Sequence, residues 1–589
     1  MRKIFIALSL FCALGLSAEN VSQDQAKQIA EDFLRQSRSR AAVSLRMVYD
    51  GESSASRTSG QAPALYVFDN EGRNGFVVVS GDDAAYPILG YSYDGDFPEG
   101  KLPENFESWL QDMEKQVNRL RAQGAPTMVG SRTEDVGSMV KQLNTAKWSQ
   151  DAPYKTLTPT VGGKKSPTGC TATALAIVMR HLKWPQTRTV EIPSYENKTD
   201  QTTIASRPAG ATYNWDNMLL EYKQGAYTDS QSDEVADFMA DVAFMLKSDF
   251  GSEATGASAA DVPIAVVKYM DYDKSCRFLQ RHQYSATDWY KLVKDELDAN
   301  RPVFYTGFND KAGHAFVLDG YPTNDYFSVN WGWGGYLDGQ FRLDAMNPAG
   351  SGIGGNNDHY NSGQGAIFGL KKNEGGEWAS TMILGEKGFT NFPAEFKKGT
   401  QFSVTMDEIE CSGSGYFNGN LLWAVTDKNG TIKEQLVVYA IKDLQVGYSY
   451  DNWKLDLTIQ NTLKVGDRLR VFYMPSGASD WILMKGGDKC TWEVILKEEV
   501  DIDANVSLKY ERGSKRLIVK ATDDSKGKLF TEDGQDVSNR LETSAQGKVI
   551  SASRFDLGTY VLRLEVDEEQ YREVKLKLGE AQKPSKMQI

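Results

Sequence analysis

A cysteine at the start of a helix is the first group in this chain with a claim to covalent chemistry. Cys170 follows a turn marked by Gly169, and the apolar helical pattern that it begins ends at Pro185. Unpaired backbone N–H groups and the helix dipole favour an anion at such a position, so we expect the thiolate form to be stabilised. A lone cysteine is more often a buried structural residue, and a nucleophile also needs a histidine from elsewhere in the chain.

The four histidines differ in their suitability as that partner. His181 follows on the same helix, about 16 Å away at the standard rise, so it cannot contact the thiol. His282 is near Cys276, but one cysteine and one histidine make a poor metal site. His359 lies in a glycine-rich loop, where a histidine is usually solvated. His314 begins the strand pattern HAFVLDGY, so a rigid element holds its ring.

Three further side chains complete a nucleophilic set with Cys170 and His314. Asn330 is on the next strand and is placed to hydrogen-bond the far imidazole nitrogen, while Trp331 shields that pair from water. Aromatic packing at a tight turn also explains the sequence WGWGG, and both explanations can hold. Gln150 lies upstream, where its amide N–H and the backbone N–H of Cys170 would together hold an oxyanion. The order Cys, His, Asn is that of papain-like cysteine proteases.

The elements that position these residues divide into a helical half and a strand half. Helical patterns at 232–247 and 288–299 follow the Cys170 helix, and strand patterns begin after Arg301. Helices followed by antiparallel strands indicate an α+β fold. The segment 347–365, between the last strands, is rich in Gly and Asn, and such loops often border functional sites.

The length of 589 residues exceeds one ordinary core, and changes in pattern divide the chain. Strand patterns dominate after residue 372, and their spacing predicts a β-sandwich and then a smaller β unit. The predicted segments are a signal peptide at 1–18, an α+β unit at 19–132, the Cys170 region at 133–372, a β-sandwich module at 373–500, and a C-terminal β module with a tail at 501–589.

The N-terminus predicts export. Arg2 and Lys3 precede the apolar run 4–16, and small residues at Ala18 offer a cleavage site. The run is shorter than the roughly 20 residues of a membrane span, and we expect no transmembrane segment elsewhere. The net charge of −13 disfavours a nucleic-acid partner. We therefore expect a protein that is secreted or held at the cell surface.

Few cysteines remain for disulfide bonds in an exported chain of this size. After signal cleavage, Cys276, Cys411 and Cys490 accompany Cys170, which is too few for a disulfide scaffold. The sequence leaves open whether Cys411 and Cys490 pair within the β-sandwich module.

Longer motifs resemble the streptopain family of papain-like cysteine peptidases, in particular Bacteroidetes members with extra C-terminal β modules. The resemblance runs from about residue 24 to residue 372. It implies a papain-like catalytic domain at 133–372 and an inhibitory pro-domain at 19–132. The motifs are, in chain order, GFVVVSGDDAAYPILGYS, WSQDAPYKTLTP, PTGCTATALAIVMRHLKWP, YNWDNM, GHAFVLDGY and VNWGWGGYLDGQFRLDAMNP.

The same resemblance assigns roles to individual residues. It implies that Cys170 is the nucleophile, that His314 is the general base and acid, and that Gln150 lies in the oxyanion hole. Asn330 and Trp331 would support the histidine. No metal or organic cofactor is required by this chemistry.

The expected function is that of a cysteine endopeptidase made as a zymogen. Its partners would be protein or peptide substrates and its own pro-domain, with maturation near 132–137. The C-terminal β modules would be available for contact with a cell surface or a host protein. Two alternatives are a papain-like thiol amidase or transglutaminase, which uses the same residue order, and an inactive adhesin, which the intact catalytic set argues against.

Overall fold

The computed structural model describes most of the chain. The described residues are 18–37, 43–51, 62–71, 74–98, 100, 102–125, 136–308, 313–345, 364–385, 387–464, 466–486, 490–496, and the strands between 506 and 578. The predicted signal peptide up to residue 17, the linker residues 126–135, His359 and most of the loop 347–365 lie outside these ranges. No helix in the described ranges is both long and apolar enough to cross a membrane.

In the described part of the N-terminal region, residues 18–125, a sheet carries one helix on each face. The elements are α1 (Gln23–Ser37), β1 (Leu45–Tyr49), β2 (Leu65–Asn70), β3 (Phe76–Ser80), β4 (Ile88–Ser92) and α2 (Glu104–Gln123). Because side chains alternate along a strand, Phe68 faces α1 and its Phe33, whereas Phe76 faces α2 and its Phe106. Helix α2 ends where Gly124 adopts φ of 60°, a left-handed conformation that glycine accepts readily.

The central region, residues 136–372, contains the residues of chemical interest. Its elements are β5 (Met139–Gln142), β6 (Thr160–Val161), β7 (Lys164–Lys165), α3 (Cys170–Leu182), β8 (Thr187–Arg188), β9 (Tyr195–Glu196), β10 (Thr203–Ile204), β11 (Ala211–Thr212), α4 (Asp229–Met245), β12 (Asp249–Phe250), β13 (Thr255–Gly256), α5 (Val262–Met270), β14 (Arg277–Gln280), α6 (Ala286–Asp298), β15 (Val303–Phe308), β16 (Gly313–Pro322), β17 (Phe327–Asn330), β18 (Gly339–Phe341) and β19 (Gly365–Phe368). Helices precede the main strands, so the predicted α+β fold is confirmed.

The remaining described residues form strands joined by turns and loops, without a helix, as predicted for the chain after residue 372. In 373–496 these are β20 (Ser380–Leu384), β21 (Phe389–Asn391), β22 (Gln401–Gly413), β23 (Tyr416–Thr426), β24 (Ile432–Gln445), β25 (Ser449–Thr458), β26 (Arg468–Pro475), β27 (Ile482–Leu483) and β28 (Glu493–Ile495). The last strands are β29 (Val506–Glu511), β30 (Arg516–Ala521), β31 (Lys526–Thr531), β32 (Leu541–Thr543), β33 (Val549–Ser553), β34 (Gly558–Glu565) and β35 (Tyr571–Leu578). The boundaries between domains remain predictions.

One antiparallel sheet runs through the N-terminal, central and 373–496 regions. Its strand order is β1-β2-β3-β4-β18-β17-β16-β15-β19-β14-β22-β20, with β5 paired to β16 and β25 to β22. The N-terminal sheet joins the central one where Gly90 of β4 pairs with Phe341 of β18. A side chain at Gly90 would meet the Phe341 ring at 2.4 Å, so glycine is needed for this close approach.

The two faces of the central sheet carry different helices. Ala315 and Val317 of β16 pack in the core that contains α3 and α4. Phe316 and Leu318, the alternate residues, pack in the core that contains α2 and α6. Strand β16 therefore lies between the helix that begins at Cys170 and a helix of the N-terminal region.

Candidate active site

Cys170 begins α3, as the sequence predicted. The residue before it, Gly169, has φ of 88°, and a Cβ there would meet the Thr255 carbonyl oxygen at 2.6 Å. Only glycine accepts that backbone conformation and contact without strain. The Sγ atom of Cys170 accepts a hydrogen bond from the backbone N–H of Ala315, at 3.5 Å. The thiol therefore faces β16 one residue after His314.

A loop of small residues borders the cysteine on its other side. Thr171 donates through Oγ1 to the Ala257 carbonyl, at 3.2 Å. Thr255 donates through Oγ1 to the Pro167 carbonyl, at 2.7 Å. These two bonds hold the loop against both the turn before Cys170 and the first turn of α3.

The acidity of the Cys170 thiol differs from the sequence prediction. Burial raises its pKa, the N–H of Ala315 and the contacts of Thr171 lower it, and the carboxylate of Glu104 raises it. The helix N-terminus alone predicts a stabilised thiolate. In this structure the loss of hydration outweighs the hydrogen-bond donors, so the expectation of a lowered pKa is wrong for this arrangement of the chain.

His314 lies on the face of β16 that is turned towards the N-terminal region. With Phe316 and Tyr305 it lines a cavity of about 30 Å³, whose opposite wall is formed by Asn105, Trp109 and other residues of α2. Burial lowers the pKa of the His314 imidazole, and Glu104 raises it. The imidazole is therefore held among residues of α2 rather than beside the thiol.

Asn105 of α2 connects the N-terminal region to the backbone around the site. Its Nδ2 donates to the carbonyl oxygens of Trp331, at 2.5 Å, and Ala315, at 3.4 Å. Its Oδ1 accepts from the indole N–H of Trp333, at 3.0 Å. Asn105 could not be predicted from the sequence, because nothing local to residue 105 indicates a contact more than two hundred residues away.

Asn330 makes its hydrogen bonds away from His314. Its Nδ2 donates to Thr145 Oγ1, at 3.0 Å, and to the Ala146 carbonyl, at 2.9 Å, and its Oδ1 accepts from the N–H of Gly332. Asn330 pairs with Val317 across the strands, which is three residues beyond His314. The predicted bond from Asn330 to the imidazole is therefore not formed in this structure.

Trp331 is fully buried on the α2 side of the sheet. Its ring centroid lies 4.9 Å from that of Phe316 and 5.4 Å from that of Phe106. Its indole N–H donates to the Leu337 carbonyl, at 3.1 Å. The aromatic packing that the sequence offered as an alternative for WGWGG is present here.

Gln150 lies beside the turn that leads to Cys170. Its carbonyl oxygen accepts a hydrogen bond from the N–H of Thr168, at 3.2 Å. The carbonyl of Trp148 accepts from the N–H of Gly334, at 2.9 Å, which ties this segment to the WGWGG turn. The structure thus brings the segments of Gln150, Cys170 and Trp331 together.

The other histidines and cysteines among the described residues lie elsewhere. The His181 imidazole contacts the backbone of Asn144 and Asn300, and burial lowers its pKa. The Nε2 of His282 lies 3.9 Å from the Glu410 carboxylate. Three further cysteines are buried free thiols, so no disulfide joins the two in the β-sandwich module; they are Cys276, Cys411 and Cys490.

Comparisons with known proteins find similar sequences for two segments of the chain. The profile of the peptidase C10 family matches residues 148–341, and that of the Spi protease inhibitor matches residues 18–117. The thiol protease/hemagglutinin PrtT of Porphyromonas gingivalis is 31% identical over 390 residues, which are 63% of this chain and 44% of PrtT. Streptopain of Streptococcus pyogenes is 33% identical over 329 residues, which are 52% of this chain and 80% of streptopain.

Among solved structures, a fragment of prointerpain A from Prevotella intermedia is 27% identical, with a TM-score of 0.46. The match covers 56% of this chain and 100% of that fragment. The chain thus spans less than half the length of PrtT but four fifths of streptopain. With one third of its residues identical to streptopain over that length, the chain belongs to the peptidase C10 family of cysteine peptidases.

Proposed function

We propose that the chain is the exported precursor of a cysteine endopeptidase and that residues 19–132 form its inhibitory pro-domain. The observation that carries the proposal is the position of Cys170. It begins a helix, and its Sγ accepts a hydrogen bond from the backbone N–H of Ala315, the residue that follows His314. Membership of the peptidase C10 family supports the same reading.

The proposed reaction proceeds through a thioester. The Cys170 thiolate attacks a peptide carbonyl carbon, and the oxyanion accepts hydrogen bonds from the Cys170 N–H and the Gln150 amide. His314, as imidazolium, gives its proton to the leaving amine as the carbon–nitrogen bond breaks. His314 then takes a proton from water, which attacks the thioester and releases the acid and the thiolate.

Inhibition in the precursor follows from the position of the imidazole. His314 lies in a cavity lined by α2, and Asn105 of α2 donates a hydrogen bond to the carbonyl oxygen of Ala315, the next residue along the strand. We infer that removal of the pro-domain allows the imidazole to turn towards Cys170. The loss of α2 would also remove the Glu104 carboxylate, which raises the pKa of the thiol, and the approach of an imidazolium would lower that pKa further.

Export and the position of maturation complete the proposal. The basic start and apolar run of residues 1–16 support secretion or a surface location. The breaker-rich segment that follows α2 supports cleavage near 132–137. Sequencing the N-terminus of the active enzyme tests both statements, and an intact, fully active precursor would contradict the role of the pro-domain.

The decisive experiment compares two cysteine substitutions. Cys170→Ala abolishes casein cleavage and self-processing, because it removes the nucleophile. Cys276→Ala is the matched control, because that thiol is buried and burial raises its pKa. Casein cleavage by the Cys170→Ala protein would overturn the proposal. Activity on plain peptides separates a peptidase from a thiol amidase or transglutaminase, and labelling of Cys170 by a thiol-reactive peptide separates it from an inactive adhesin.

A further inference from the structure

The β-sandwich module contacts the central region at Ala260 and Asp261. The turn between β24 and β25, residues 445–448 and here called the module turn, lies against the start of α5. Gln445 donates through Nε2 to Asp261 Oδ1, at 2.6 Å, and to the Ala260 carbonyl, at 3.3 Å. Tyr448 donates its hydroxyl to the same Asp261 oxygen, at 3.1 Å.

The backbone of the module turn is pressed against the same residues. Gly447 has φ of 80°, and a Cβ at that position would meet the Ala260 Cβ at 2.5 Å. Ala260 and Val446 are both buried in one hydrophobic core together with α3. The contact therefore combines close packing with hydrogen bonds to a carboxylate, which are stronger than those between neutral groups.

Asp261 ends the loop that borders Cys170, residues 255–261, here called the cleft loop. The first part of this loop bonds to the turn before the cysteine and to Thr171 through Thr255 and the Ala257 carbonyl. Ala257 and Asp261 are four residues apart, so they are separated by at most about 15 Å of chain. One short loop is thus held by the nucleophile segment at one end and by the β-sandwich module at the other.

We infer that Gln445 and Tyr448 are positioning residues for the peptidase reaction and that the β-sandwich module is a structural part of the active site. Through Asp261 they hold the cleft loop, and the loop holds Gly169 to Thr171, where the thiol and the Cys170 N–H must keep their geometry. Small misplacements of such groups are costly to rate. The inference rests on the proposed function, because it assigns these residues to that reaction.

The test uses the enzyme obtained when the full-length chain processes itself, with Gln445→Ala and Tyr448→Phe combined. We expect kcat per titrated active site on a short fluorogenic peptide to fall about tenfold, with KM changed less than about twofold, because the lost contacts position the thiol rather than bind the peptide. Two separate substitutions of Asp261 test the same contacts. Asp261→Ala should lower kcat, whereas Asp261→Asn, which keeps an acceptor oxygen, should leave kcat close to that of the wild type.

The matched control is Gln435→Ala combined with Tyr450→Phe. Both residues are exposed on β24 and β25 of the same module, and their substitution should leave kcat unchanged. Normalising to titrated sites matters, because simple loss of stability lowers the active fraction without changing kcat per site. Equal kcat for the Gln445/Tyr448 pair and the wild type would overturn the inference while leaving the proposed function intact.

Hydrogen exchange separates the inference from the proposed function. In the Gln445/Tyr448 pair, amides of the cleft loop should exchange faster than in the control pair. A wild-type protein without peptidase activity would overturn the proposed function. Equal exchange of the cleft-loop amides in the Gln445/Tyr448 pair and in the control pair would overturn the contact between the module turn and the cleft loop, whatever the activity.

Discussion

Cys170 and His314 lie on opposite sides of β16. The thiol accepts a hydrogen bond from the backbone N–H of Ala315 on the side of α3, whereas His314 lines a cavity shared with α2. Successive strand residues point to opposite faces of a sheet. Ala315 therefore faces α3 and the thiol, whereas His314, the residue before it, faces α2. In the proposed mechanism, activation therefore requires a rearrangement around residue 314 and not only the clearance of a blocked cleft.

Asn105→Ala should weaken the docking of the pro-domain. The substitution leaves the carbonyl of Trp331 and the indole N–H of Trp333 without their partner. Unsatisfied buried groups cost about 1–3 kcal/mol each. Asn105→Ala should therefore lower the unfolding temperature of the Cys170→Ala precursor, and in the precursor with an intact Cys170 it should speed maturation. Thermal unfolding and the time course of processing measure the two effects.

Asn118→Ala is the matched control for Asn105→Ala. Asn118 is on the same helix, and its side chain accepts a hydrogen bond from Arg121 within the N-terminal region. Processing should therefore proceed at the wild-type rate. Equal acceleration by both substitutions would show that general loosening of α2, and not the contact of Asn105, controls maturation.

Asp112 should make the precursor more stable in acid than at neutral pH. Burial raises its pKa from 3.8 to about 7; the Gln116 and Gln364 amides lower it, and the Asp344 carboxylate raises it. A carboxyl whose pKa is raised on folding binds its proton more tightly in the folded state. Its contribution is thus complete below about pH 4 and is lost as the pH rises to about 7.

Asp112→Asn removes this dependence. The charged groups around Asp112 are Lys115 on its own helix and Asp344, which pairs with Arg281 at 3.1 Å; His314 shares the cavity. Between pH 5 and pH 8 the free energy of unfolding of the Cys170→Ala precursor should fall by roughly 2–4 kcal/mol more than that of its Asp112→Asn derivative. Denaturant titrations at both pH values measure the difference, with Glu107→Gln on the same helix as the control. Parallel pH profiles for parent and Asp112→Asn would contradict the assignment.

The position of Cys170 was predictable because its signals are local. A glycine turn, an apolar helical run and a terminating Pro185 all lie within a few residues of it. The choice of His314 over His181 needed only the rise of a helix. The family motifs added the order of the remaining residues.

The face on which His314 lies could not be predicted in the same way. The strand HAFVLDGY is buried on both sides, so its sequence has no polar alternation that would distinguish α3 from α2. The register of Asn330 depends on a bulge between Leu318 and Gly320, which no sequence pattern indicated. The contact of Asn105 depends on packing between distant segments, and that information is absent from either segment alone.

Asn330→Ala should act on stability more than on the protonation of His314. Asn330 bonds to Thr145, whose hydroxyl donates to Asp319 at 2.5 Å, so the three side chains form one buried network. Loss of the amide should destabilise the mature enzyme by about 2–4 kcal/mol. In the Cys170→Ala precursor the pKa of His314, measured by NMR, should be the same with and without Asn330→Ala, because in this structure the network does not contact the imidazole.

Thr145→Val tests the same network from its other side. It removes the hydroxyl at similar volume, and the double variant should cost less than the sum of the two single substitutions because both break one network. Additive losses, or a His314 pKa in the precursor that changes with Asn330→Ala alone, would instead favour a direct role of Asn330 towards His314.

Gly169→Ala should displace the nucleophile segment. At φ of 88° an alanine is strained, and its Cβ would meet the Thr255 carbonyl oxygen at 2.6 Å. Gly163→Ala separates these two effects, because Gly163 has φ of 80° and open space around a Cβ. Both variants should lose about 1–3 kcal/mol of stability through strain, but only Gly169→Ala should also slow the alkylation of Cys170 by iodoacetamide in the mature enzyme. An equal alkylation rate in both would mean that the Thr255 contact yields without moving the thiol.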